Sequence, residues 1–156
     1  MIERTAYLEN LLEFKDKQLI KVVTGIRRCG KSTLFEWYQT YLISQGVEES
    51  QIISYNLESA ECMDVEDYKT LYKLVAKDLR DDVMNYIFLD EVQQVPDFQK
   101  AVDSLFIKKN CDVYITGSNA FLLSSELSTL LSGRYIEIKM LPLSFKEYRL
   151  ARSDIQ

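Results

Sequence analysis

Val23-Thr24-Gly25-Ile26-Arg27-Arg28-Cys29-Gly30-Lys31-Ser32-Thr33 has the spacing G-x-x-x-x-G-K-[ST], that of a phosphate-cradling P-loop between a strand and a helix. In such a loop backbone N–H groups converge on a β-phosphate, and Lys31 reaches the β- and γ-phosphates. The Ser32 hydroxyl can ligate the Mg²⁺ that travels with a nucleotide. The expected nucleotide-binding set is therefore Gly25, Ile26, Arg27, Arg28, Cys29, Gly30, Lys31, Ser32 and Thr33. Glycine at 25 and 30 lets the chain curl and approach phosphate without a Cβ clash. The side chains of Arg27 and Arg28 are expected to point away from phosphate, toward solvent or partners, and Cys29 to fill space.

The flanks agree with the motif. Leu19 to Thr24 reads as a buried strand, and Leu34, Trp37, Tyr38, Tyr41 and Leu42 form a helical stripe that ends near Gly46. A short helix around Tyr7 to Glu13 precedes this unit. Downstream, strands are expected at Gln51–Leu57, Asn85–Asp90, Cys111–Thr116 and Tyr135–Met140. Between them lie a helix capped by Asp64 with the stripe Tyr68, Leu71, Tyr72, Val75 and Leu79, and one started by Pro96-Asp97 that carries Phe98, Ala101, Val102, Leu105 and Phe106. Five strands alternating with helices predict right-handed crossovers and a parallel sheet covered on both faces, an α/β three-layer sandwich.

The third strand closes on Ile87-Phe88-Leu89-Asp90-Glu91, which delivers two carboxylates to the sheet edge where ligands of open α/β folds sit. This is the Walker B pattern. Asp90 is expected at the hydration shell of the metal with Ser32, and Glu91 as general base on the attacking water. The plainer reading is a strand end that caps the next segment of chain. No Asn-Lys-x-Asp guanine-reading string occurs, so adenine is the expected base. A glutamate beside the Walker B aspartate suggests an ATPase with a further strand between those of the two motifs, and Cys111–Thr116 fits that place. Asn119, or Ser118 beside it, is the candidate to sense the γ-phosphate, unless both merely cap the next helix. Arg134 is the fourth catalytic candidate after Lys31, Glu91 and Asn119. It is expected near the same edge, acting in cis or on a neighbouring subunit, or else as a cation favoured by a helix C-terminus.

Bulk properties exclude other chemistry. The 156 residues suit one domain, and the net charge of −5 does not advertise nucleic-acid binding, although charge can be segregated. The chain holds no histidine, which removes histidine acid–base catalysis, Ser-His triads and most zinc sites. Cys29, Cys62 and Cys111 have no metal-type spacing, and an odd count argues against a disulfide framework. No run reaches transmembrane length and no signal peptide stands at the N-terminus. A cytoplasmic location without membrane contact is the expectation.

These residues together resemble a family, the AAA-type P-loop ATPases of bacteria and archaea, most of them uncharacterised. The similarity lies in Gly25 to Ser32, Phe88 to Gln93, Thr116 to Asn119, and Ser132-Gly133-Arg134 followed by Leu141 to Tyr148. It implies strand order 5-1-4-3-2, ATP with Mg²⁺, and a phosphate-sensing or finger role for Arg134. Members run to twice this length or more and carry a C-terminal domain. Residues 1–156 are accordingly expected to be a single ATPase domain, with 1–18 as lead-in and 144–156 as the start of a truncated helix. The expected function is hydrolysis of ATP to ADP, coupled to movement of that further domain, of another protein or of a homo-oligomer. Nucleic acid would engage only through the absent part. The alternatives are a nucleotide-gated switch with little turnover and a small-molecule P-loop kinase.

Overall fold

The computed structural model describes residues 5–25, 30–118, 131 and 134–140. In chain order these form α1 (Thr5–Glu13), β1 (Ile20–Gly25), α2 (Lys31–Ser44), β2 (Ile52–Asn56), α3 (Tyr68–Ala76), β3 (Asn85–Asp90), α4 (Phe98–Phe106), β4 (Cys111–Ser118) and β5 (Tyr135–Lys139). The strands make one parallel sheet in the order β2-β3-β4-β1-β5. That is the expected order. The ladder sets Lys21 against Tyr114 and Gly25 against Ser118, and Leu89 against Ile115. The C-terminal ends of β1, β3 and β4 therefore finish side by side.

Strand periodicity assigns the two faces. Ile20 and Val22, Ile87 and Leu89, and Val113 and Ile115 pack with Leu71 and Val75 of α3 and Phe98, Val102 and Leu105 of α4. The alternate positions Val23, Tyr86, Phe88 and Tyr114 meet Leu11 of α1 and Leu34, Phe35, Tyr38 and Leu42 of α2. With both faces covered, the inner strands are apolar almost throughout.

Local chemistry moved some expected boundaries. Asp67, not Asp64, caps α3, its Oδ1 accepting the Thr70 N–H at 2.7 Å, because residues 60–62 first turn as a short 3₁₀ segment. Leu79 lies beyond α3 yet packs against the core. On α2 the contact with the sheet runs through Phe35 as well as Leu34, Tyr38 and Leu42, and leaves Trp37 and Tyr41 partly exposed. Among the described residues no helix is long and apolar enough to cross a membrane. Residues 144–156, the predicted truncated helix, lie outside the described residues.

At the opposite end of the sheet from Gly25 is a buried ion pair. Lys21 and Asp112 are almost wholly enclosed and touch through Nζ and Oδ1. Lys21 also donates to the Lys17 carbonyl at 2.7 Å, and Asp112 accepts from the Asp16 N–H at 2.9 Å and the Tyr114 hydroxyl at 2.7 Å. Since Tyr114 gives its proton to Asp112, the 2.7 Å contact between Tyr38 and Tyr114 has Tyr38 as donor. Burial pushes the Asp112 carboxyl up and the Lys21 ammonium down from their ordinary ranges, each opposed by the partner's charge. Removing one member leaves an uncompensated buried charge. Asp112→Asn is expected to lower stability by about 3–5 kcal/mol in a urea titration. Adding Lys21→Met should recover more than half of that loss; strictly additive losses would show that the two charges are not coupled.

Candidate nucleotide site

β1 runs out at Gly25, and residues 26–29 of the loop lie outside the described residues. The chain is described again at Gly30, whose φ of +99° is left-handed, and α2 begins at once. A side chain at 30 would be strained by that φ, whereas the Met140 methyl, 3.7 Å from an ideal Cβ, would be at ordinary contact distance. Lys31, first residue of the helix, is 4% exposed. Its ammonium donates to the Gly25 carbonyl at 2.7 Å and stands 3.8 Å from Glu91 Oε1. Gly30, Lys31, Ser32, Thr33 and Glu91 line a cavity of about 230 Å³.

Asp90 is the hub of this end. Ser32 of α2 donates its hydroxyl to Asp90 Oδ2, and Thr116 of β4 donates to Oδ1. The Thr116 oxygen in turn accepts the Glu91 N–H at 2.9 Å. One buried hydroxyl thereby fixes both acidic positions. The backbone turns sharply after Asp90. Glu91 takes φ 59°, ψ 54°, a left-handed conformation that costs an L-residue roughly 1–2 kcal/mol. Its carboxylate then leaves the Asp90 side and joins the cavity wall near Lys31, while Oε2 accepts from Gln93 Nε2 at 2.6 Å.

A hydroxyl and a carboxylate already in contact, at the rim of a cavity holding a buried ammonium, fit a nucleotide phosphate with Mg²⁺. The ion prefers oxygen ligands and takes few carboxylates. Among the described residues no cluster of three or more acidic or cysteine side chains forms a metal cage. A metal here would rest on Ser32, Asp90 and oxygens brought by the ligand.

The structure thus assembles Gly25, Gly30, Lys31, Ser32, Thr33, Asp90 and Glu91 in one place. Ile26 to Cys29 and Asn119 lie outside the described residues. Arg134 is corrected: it does not share this edge. Its carbonyl accepts from Ile20 N at 2.9 Å, at the start of β1, and its guanidinium lies 5.7 Å from the Phe106 ring. The length of β1, about 16 Å at strand rise, separates its backbone from Gly25, so it does not meet this chain's own cavity. Two residues gained no role of their own from the sequence. Thr116 read as a strand end beside the γ-phosphate site and as a letter in a resemblance, and Gln93 only as such a letter. A buried threonine opposite two carboxylates was the available signal for the first.

A family model described as an AAA domain matches residues 17–149. An uncharacterised protein of Haemophilus influenzae is 46% identical over 98% of this chain, and the chain spans 38% of that relative's length. Among solved structures, Saccharomyces cerevisiae Hsp104 in complex with casein superposes with a TM-score of 0.69 at 12% identity, over 99% of this chain and 29% of that one. AMPPCP-bound DnaA from Aquifex aeolicus gives 0.56 at 15% identity, over 97% of this chain and 50% of that one. These two likenesses concern the fold, which is that of AAA-type P-loop proteins. The family match covers most of the chain and includes every described residue of the cavity, so the protein belongs to the AAA domain family.

Proposed function

We propose that this chain binds ATP and hydrolyses it to ADP and phosphate with Mg²⁺. The observation that carries this is the division of labour between the two acids. Asp90 is held by hydroxyls from α2 and β4, whereas Glu91 is turned to the cavity beside Lys31. A chain that only bound nucleotide would need the first arrangement and not the second.

Lys31 would leave its contacts with Gly25 and Glu91 for the β- and γ-phosphate oxygens, a stronger charge-assisted pairing. Ser32 and Asp90 would hold Mg²⁺, which when bound supplies positive charge to the phosphate oxygens. Glu91, released from Lys31, would accept a proton from the attacking water. The new bond joins water oxygen to the γ-phosphorus, the bond to the β–γ bridging oxygen breaks, and ADP leaves with that electron pair. Most of the acceleration would come from positioning and fixed charge. Asn119 is proposed to sense the γ-phosphate. Arg134, at the far end of β1, is proposed to act as a finger on a neighbouring copy, and turnover is proposed to drive movement of a C-terminal domain or a partner. The adenine preference rests on the missing guanine-reading string.

Lys31→Ala is expected to weaken binding of a fluorescent ATP analogue by about 10- to 100-fold, the loss of one charged hydrogen bond. Glu91→Gln should bind the analogue within a few-fold of wild type while phosphate release falls by about 100-fold or more. Release at the wild-type rate would remove Glu91 from the role of base. Thr116→Val keeps the shape but deletes the bridging hydroxyl. It should lower stability by about 1–3 kcal/mol, the cost of leaving the Glu91 N–H unpaired, with Thr116→Ser losing less.

A further inference from the structure

Gln93 lies in the 3₁₀ turn Val92–Gln94 that follows β3, two residues beyond the base, and is half-buried. Its amide makes one described hydrogen bond, from Nε2 to Glu91 Oε2 at 2.6 Å. Its other polar atom, Oε1, is buried and without a partner among the described residues. The assignment of the amide ends follows from chemistry, because only the NH₂ end can donate to a carboxylate. An unpaired buried acceptor is a cost, and an apolar side chain of the same length would avoid it. Gln93 therefore adds nothing to the fold that Met would not, apart from its hold on Glu91.

That hold differs from the one exerted by Lys31. Glu91 has two partners on its carboxylate, Gln93 on Oε2 and Lys31 near Oε1 at 3.8 Å. A phosphate would compete for Lys31, which carries the charge it needs. It would not compete for a neutral amide already committed to a carboxylate. Once Lys31 is drawn away, Gln93 is the described side chain that still fixes the direction of the Glu91 carboxylate.

We infer that Gln93 is a positioning residue for the base: its Nε2 holds Glu91 Oε2, so that the carboxylate keeps its direction toward the cavity when Lys31 turns to phosphate. This rests on the hydrolytic reading above. A base held at one oxygen presents the other to the attacking water.

The test uses the full chain, a phosphate-release assay over a range of ATP concentrations, and equilibrium binding of a fluorescent ATP analogue. Gln93→Met removes the donor and the acceptor at nearly constant shape. It should lower kcat by roughly tenfold or more while KM, analogue affinity and the urea midpoint stay close to wild type. Gln93→Lys restores an N–H donor at similar reach but no acceptor, and should recover part of kcat. Wild-type kcat in Gln93→Met, or parallel losses of kcat, analogue affinity and urea midpoint, would overturn the inference and leave hydrolysis standing. A wild-type chain that binds the analogue yet releases no more phosphate than Glu91→Gln would overturn the hydrolytic reading itself, and this inference with it.

Discussion

The Asp90 carboxylate is claimed by two hydroxyls that come from different elements, Ser32 at the start of α2 and Thr116 near the end of β4. Asp90 itself closes β3, and its carbonyl accepts the Leu57 N–H at 2.9 Å, where the chain leaves β2. Four segments far apart in sequence thus converge on one residue. The convergence depends on the parallel register, since only strands running the same way finish together at one edge. Moving β4 by one residue against β3 would turn Thr116 to the other face of the sheet and free both acids. The sheet order matters to function because it places β4 between β1 and β3 and brings that hydroxyl between the loop and the acids.

The helix that carries Lys31 and Ser32 is also tied down from the other end. Tyr38, about two turns further along α2, donates to Tyr114, which donates to Asp112, which pairs with Lys21. The rings reinforce the chain: Phe88 and Tyr114 stack at 4.8 Å, and Phe35 meets Phe88 edge-on at 5.1 Å. Burial pushes both tyrosine hydroxyls far above their ordinary range, so they remain neutral donors. Such a network specifies one seating of the helix on the sheet, because a shifted helix would leave buried polar atoms unpaired. Rigid seating of α2 is what lets two side chains in its first turn meet a carboxylate on β3.

Much of this was legible from residue order. The loop spacing, the apolar run ending in Asp90-Glu91, and the alternation of strand and helix patterns led to a parallel sheet and to most of the cavity wall, and the family resemblance implied the strand order. The features that stayed hidden share a physical cause. Thr116 acts through two hydrogen bonds to the end of another strand and Gln93 through one across a tight turn, and a lone threonine or glutamine has no periodicity to betray it. The expected place of Arg134 at the cavity edge failed for a related reason. Sequence position put Arg134 after β4, whose end is at the site, but β5 runs parallel to β1 and starts at the other end of the sheet, so a residue just ahead of β5 sits where β1 starts. A parallel sheet enforces that return. Asp67 displaced Asp64 as cap because the short 3₁₀ segment 60–62 and the turn after it take the chain through Asp64 before the helix can start.

The two ends of the sheet solve the same electrostatic problem differently, and the difference locates the chemistry. At one end Asp112 meets Lys21 inside a shell of hydroxyl, carbonyl and amide partners, and every described bond of the pair is internal. Little is left over for a ligand. At the other end Asp90 and Glu91 are 8% and 9% exposed, Lys31 stands 3.8 Å from one carboxylate, and a left-handed residue and an unpaired amide oxygen persist. These are unfavourable in the protein alone, and the two carboxylates and the ammonium are the groups that a cation or a phosphate at that edge would pair. The buried pair specifies a structure, whereas the acidic edge holds groups whose best partners come from outside the chain.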